Sequence, residues 1–127
     1  MKVAMLGGAL KNAGDFLITK RSEELIKEVN PNTEVTVFLR NNKLTEEELF
    51  EINRHDLMII AGGPCYTKEL YPNVLLLVEE LDEIRPKIGM LGCGGYEGVI
   101  DNSIIRNYKF SDSTLSFLRR VESDTHF

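Results

Sequence analysis

The sequence has only two cysteines and two histidines among its 127 residues, and that scarcity sets the first limits on what it does. Cys65 and Cys93 lie far apart with no Cys-x-x-Cys pair, and His55 and His126 are too few to complete a ligand set, so no metal site and no cofactor is expected. Reduced thiols in a cytosolic protein are the corresponding expectation. Basic residues are in the minority as well. A formal net charge of -5 with no basic run argues against binding nucleic acid or an anionic membrane through bulk electrostatics. No apolar segment approaches the roughly 20 residues that span a bilayer, because residues 74–78 are interrupted at once by Glu79, Glu80 and Asp82. The apolar stretch at residues 3–10 runs into Asn12 and Asp15 rather than a small-residue cleavage site, which speaks against a secretory signal. Repeats and low-complexity segments are missing too. A hydrophobic content of 43% in this length supplies one core and too little for two, so residues 1–127 read as a single cytoplasmic domain without membrane insertion.

What is present is an alternation of strand and helix signals. Residues 2–6 are aliphatic and end in Gly7-Gly8, as a buried strand leaving into a loop would. From Phe16, the apolar Ile18, Leu25, Ile26 and Val29 return at helical spacing with Ser22 on the same face, and Asn30-Pro31-Asn32 supplies a stop. Residues 34–39 alternate polar with apolar for most of their length, which suits a strand exposed on one face or at a sheet edge. Thr45-Glu46-Glu47-Glu48 is a capping box ahead of Leu49, Phe50 and Ile52, which predicts a short second helix. Residues 57–61 are apolar without alternation, like a central strand, and run into Gly62-Gly63-Pro64. Pro72 at a first-turn position, then Val74, Leu77, Val78, Leu81 and Ile84, predict a third helix ended by Pro86. Residues 87–91 predict a fourth strand with the exit Gly92-Cys93-Gly94-Gly95. The tail, residues 99–127, is more polar, and Leu115, Leu118 and Val121 predict a docked helix over 113–121.

Strands that alternate with helices imply right-handed crossovers and a mostly parallel sheet. The edge-like second strand and the centre-like third predict the order 2-1-3-4 in a Rossmann-like, three-layer α/β domain. The crevice then lies between the exits of the first and third strands. Glycine at such an exit lets backbone amides approach a ligand, or simply permits a tight turn. Two phosphate-binding motifs are absent. Gly14 is followed by Asp15 and Phe16, so the lysine of a Walker loop is missing. The stretch from Gly7 to Asn12 has no Gly-x-Gly-x-x-Gly register, the ribose-binding acid after the second strand is replaced by Arg40, and Glu97 stands where Gly92-Cys93-Gly94 would need its third glycine.

The first loop instead holds Asn12-Ala13-Gly14-Asp15 directly before a helix. Asp15 suits the helix cap, a role worth about 1 kcal/mol. It also suits a crevice in which an amide and a carboxylate orient sugar hydroxyls or take a proton from one. His55 precedes the third strand, away from the glycine exits, and reads as a surface or capping residue. Cys65 and Cys93 have nothing basic beside them and read as small filler residues. Tyr66 and Tyr96 follow glycine exits, where a ring can stack on a sugar or simply pack.

The Asn-x-Gly-Asp loop within residues 1–15, residues 57–61 running into Gly62-Gly63-Pro64, and Gly92-Cys93-Gly94-Gly95 together resemble the N-terminal half of the polysaccharide pyruvyl transferase family. The resemblance spans most of this chain but less than half of a usual member. It departs at Lys11 and Pro64, where the family often has glycine. It implies one half of a glycosyltransferase-B-like architecture, in which a sugar or sugar-phosphate acceptor receives the enolpyruvyl group of phosphoenolpyruvate. By that resemblance Asp15 is the catalytic candidate, and Asn12, Gly14, Gly62, Gly63, Tyr66, Gly94 and Gly95 line the acceptor side. The phosphoenolpyruvate-gripping basic residues would belong to a second α/β half, and the isolated chain would be inactive. A nucleotide or sugar-nucleotide binding module without chemistry is the main alternative, and a homo-oligomer would also close the crevice. A third is a protein-interaction domain whose polar tail from Tyr96 onward orders against a partner.

Overall fold

A computed structural model describes residues 1–8, 12–95 and 108–125. Strand β1 (Lys2–Gly7) is buried at every position after Lys2, the pattern of a strand covered on both faces. Helix α1 (Ala13–Val29) leads to β2 (Glu34–Leu39), and helix α2 (Glu46–Ile52) leads to β3 (Leu57–Tyr66). An irregular connection then reaches β4 (Lys87–Gly95), and helix α3 (Asp112–Thr125) follows. Among the described residues these strands form one sheet, parallel throughout, in the order β2-β1-β3-β4. This is the expected Rossmann-like arrangement, and it sets the end of β1 beside Ala61 and Gly62, where β3 leaves its pairing with β1 and runs on to Tyr66. No described helix is long and apolar enough to cross a membrane.

One face of the sheet carries the main core. Ala4, Leu6, Met58, Ile60 and Ile88 pack there with Ile52 of α2 and Phe117 of α3. The capping box of α2 forms as read from the sequence: Glu48 N–H donates to Thr45 Oγ1 at 3.1 Å, and Thr45 N–H donates to Glu48 Oε2 at 2.9 Å.

The other face is covered by α1, and here the expectation needs correction. Ser22 faces the sheet as expected, but Leu25 and Val29 are 38% and 87% exposed, and Ile18 also stays out of the core. Small residues replace them: Thr19 and Ser22 make the contact, because β1 ends in Gly7 and the helix comes close. A Cβ on Gly7 would lie 2.7 Å from Thr19 Oγ1. The displaced Leu25 and Val29 border an apolar groove of about 540 Å³ floored by Leu57, Ile59 and Leu91. Met1, Asp56 and Lys87 also line it, so it opens where the strands begin, away from their glycine ends.

The predicted third helix does not form. Leu70–Val74 makes one wide turn containing a cis Tyr71–Pro72 peptide, and Leu81–Glu83 makes a single 3-10 turn. Between them, Leu75, Leu77 and Val78 are buried while Leu76 is exposed, and Leu77 has a left-handed φ of 33° that no helix interior accommodates. The residues expected inside are nevertheless inside, since Leu77, Val78 and Ile84 belong to the core and Val74 and Leu81 pack against it.

Strands β3 and β4 are also longer than read. They continue through their glycines, pairing Gly63 with Cys93, Pro64 with Gly94, and Tyr66 with Gly95 after a register shift. Helix α3 extends beyond residues 113–121 at both ends, and its deepest residues, Thr114 and Phe117, are not among those expected to dock, while Leu115, expected to, is only partly buried. Leu118 and Val121 pack against the core as expected. Polar contacts hold the helix in place. Tyr71 N–H donates to Thr114 Oγ1 at 3.1 Å, Arg120 Nη2 donates to Ile84 O at 3.1 Å, and Ile88 N–H donates to Asp124 Oδ2 at 2.9 Å. Tyr96, His126 and the tail residues before 108 lie outside the described residues.

Phe117 is fully buried and stacks on Tyr71 with ring centroids 5.6 Å apart. Truncation to alanine should lower unfolding free energy by about 3–5 kcal/mol, read from urea denaturation. The Tyr71 hydroxyl donates to Val78 O at 2.7 Å, and burial, aided by Glu80 and Glu83, raises its pKa above the usual 10.0. The folded state therefore holds this proton more tightly than the unfolded chain. That stabilisation is complete below pH 10.0 and is lost as pH rises through the raised value. The urea midpoint should fall above pH 10, and Tyr71→Phe should flatten that fall.

Candidate functional site

The site is built where three strands end and α1 begins. Asn12 has an extended backbone, and its Oδ1 accepts from Gly14 N–H at 2.9 Å. Asn12 is therefore the helix cap, not Asp15. Asparagine caps as well as aspartate does and stands directly before the first helical residue, which leaves Asp15 in the first turn. A carboxylate there is favoured by the helix dipole. It lies over the end of β1, since a Cβ on Gly8 would fall 2.5 Å from Asp15 Cγ.

Arg40 ties this carboxylate to the rest of the site. Its backbone N–H donates to Gly7 O at 2.9 Å, continuing the β1–β2 ladder by one residue. Its side chain crosses the end of β1 and donates from Nη1 to Gly62 O and, at 3.4 Å, to Ala61 O. Its Nη2 lies 3.9 Å from Asp15 Oδ1. The residue is only 8% exposed. One side chain from the edge strand thus fastens β3 where it passes the end of β1 and reaches the first turn of α1.

The glycines of β3 are shaped around this crossing. Gly62 and Gly63 have φ of 67° and 81°, in the left-handed region that disfavours side chains. A Cβ on Gly62 would collide with Ile18, and one on Gly63 would lie 2.5 Å from Arg40 Nη2. Glycine is required here by conformation and by close approach together.

The structure thus brings Asp15, Gly62 and Gly63 into one group through Arg40. Asn12 and Gly14 lie at its border, but the Gly14 N–H is spent on the cap. Gly94 lies a strand further out on β4, exposed, with open space where a Cβ would stand. Tyr66 and Gly95 pair with one another beyond it. Arg40 is the residue that sequence reasoning missed, having registered it only as the lack of a ribose-binding acid. The usable signal was an arginine directly after an edge strand next to the switch point of a parallel sheet.

The remaining candidates belong to packing. Cys93 is half-buried, with Sγ 3.6 Å from Ile60 O, consistent with a filler role. His55 takes the capping alternative rather than the surface one: it is buried, with its Nδ1 2.8 Å from Glu51 O in the last turn of α2, and Phe38 meets it edge-on. Among the described residues no group of three or more His, Cys, Asp or Glu side chains is placed to hold a metal ion.

Chemically, the group offers a partly exposed carboxylate backed by a buried guanidinium, at the junction where parallel sheets of this order hold ligands. No protein-family model matches the chain, and no curated protein or solved structure matches it significantly.

Gly63→Ala tests the close approach. A side chain in this conformation costs about 1–3 kcal/mol, and displacement of Arg40 adds to it. Urea denaturation should show that loss, and the loss should shrink when Arg40→Met is already present. Unchanged stability of Gly63→Ala would contradict the geometry.

Proposed function

We propose that the chain is the acceptor-side half of a polysaccharide pyruvyl transferase and that the Asp15–Arg40–Gly62–Gly63 group receives the sugar. One observation carries this reading. Asp15 and Gly62-Gly63, from two of the three segments on which the resemblance rests, share one arginine at the switch point of the sheet. In the reaction, C3 of phosphoenolpyruvate takes a proton, the oxygen of an acceptor hydroxyl loses its proton and bonds to C2, and the C2–O bond to phosphate breaks; a second hydroxyl bonds to C2 and gives its proton to the released phosphate, which closes the ketal. In this reading Asp15 orients or deprotonates the first hydroxyl. The described residues near it offer a single buried cation already turned toward backbone carbonyls, so the phosphoenolpyruvate grip falls to a second α/β half or a second copy of the chain. The reading requires no cofactor, nucleic acid or membrane insertion, and its setting is the cytoplasm.

A second reading is a nucleotide or sugar-nucleotide binding module without chemistry. It is favoured by the engagement of Asp15 with Arg40, a pairing that suits holding a ligand as well as proton transfer.

Two measurements on the isolated chain separate these. Saturation-transfer NMR should detect sugar binding, while release of phosphate from phosphoenolpyruvate in the presence of sugar should stay at background. Robust turnover would refute the assignment to one half, and tight nucleotide binding without sugar binding would favour the second reading.

A further inference from the structure

The two charges of the site are not equally placed. The Arg40 side chain is 9% exposed and that of Asp15 is 22% exposed. The guanidinium donates toward the carbonyls of Ala61 and Gly62, so the charge presented outward is that of the carboxylate. An ionised carboxylate only accepts hydrogen bonds. It suits hydroxyl groups, which donate, and repels a phosphate, which is also an acceptor.

The start of α1 would otherwise favour an anion, as helix N-termini do. Here that place is taken by the chain itself. Asp15 occupies the first turn, and the Gly14 amide is already bonded to Asn12. Arginine suits the position behind the carboxylate because its fork reaches two carbonyls with one nitrogen while the other faces Asp15. Lysine has a single point of charge.

We infer that Arg40 is a positioning residue that acts through Asp15, and that the pair makes the crevice select the uncharged, hydroxyl-bearing part of a ligand over its phosphate. The inference rests on the acceptor-side reading above and deepens it.

The test is calorimetric or NMR titration of the full chain with methyl glycosides of glucose, galactose, mannose and N-acetylglucosamine, and separately with inorganic phosphate. Wild type should bind at least one glycoside and bind phosphate more weakly. Asp15→Asn keeps the side-chain volume and should weaken glycoside binding tenfold or more. Arg40→Met should weaken it similarly, and Arg40→Lys should restore only part. The deciding readout is the double variant. If Arg40 acts through Asp15, adding Arg40→Met to Asp15→Asn should cause no further loss, whereas a merely structural role gives additive losses. Circular dichroism checks each fold, and Asp15→Asn carries the test alone if Arg40→Met fails to fold. Additive losses, unchanged binding by Asp15→Asn, or phosphate binding tighter than glycoside would overturn the inference while leaving a crevice ligand in place. Failure of wild type to bind any glycoside would overturn the acceptor-side reading and the inference with it.

Discussion

A parallel sheet ends in carbonyl and amide groups that its own ladder no longer pairs, and the chain must satisfy them before it can use that end for anything. In this domain the arginine after β2 does so across the greatest distance. Its main chain prolongs the β1–β2 ladder at Gly7, and its side chain passes over β1 to the carbonyls of Ala61 and Gly62. Three of the four strands are thereby linked at one end by one residue. The glycine at 63 follows from that crossing, because a side chain there would meet Arg40, whereas those at 8 and 62 follow from the approach of α1, where side chains would meet Asp15 and Ile18. Packing at the site is thus the cause of its glycine content, and the left-handed φ of Gly62 and Gly63 is the local form this takes.

Strand order was legible because burial leaves a mark on composition. The first residues of β2, Glu34 to Val37, alternate polar with apolar and no position of the strand is fully buried, whereas β1 is buried throughout after Lys2, which separates an edge from a centre. The α2 cap was legible for a similar reason: the box is local, and all of its partners lie within three residues. The connection before β4 was not. Most of its leucines are buried as their hydrophobicity requires, but a run of five consecutive apolar residues fits either period, and tertiary contacts with α3 settled it. The Tyr71 amide, for instance, finds Thr114 rather than a helical carbonyl. Helix α1 misled in the opposite sense. Its leucine and valine stripe looked like the buried face, yet the sheet accepts the helix through Thr19 and Ser22, because the close approach over Gly7 admits only small groups.

Of the site itself, the glycines and Asp15 were visible as residue types, while their joining was not. Nothing in the spacing of Asp15, Arg40 and Gly62 says that they meet, since each comes from a different strand end. The sheet order makes the meeting geometrically available, and the length of an arginine side chain completes it. The same limit explains Asn12. Asparagine and aspartate both cap, and only the first helical residue at position 13 decides between them.

The absence of both phosphate-binding motifs then has a physical counterpart. Such motifs work by leaving backbone amides and a helix N-terminus open to an anion. Here the amide of Gly14 is bonded within the loop, the first turn holds its own carboxylate, and the nearby cation is turned toward carbonyls of β3. A glycine-rich strand end therefore does not by itself make an anion site; the occupants of the space that the glycines leave decide the matter. In this chain those occupants are Asp15 and Arg40, and of the two the carboxylate is the more exposed to an arriving ligand.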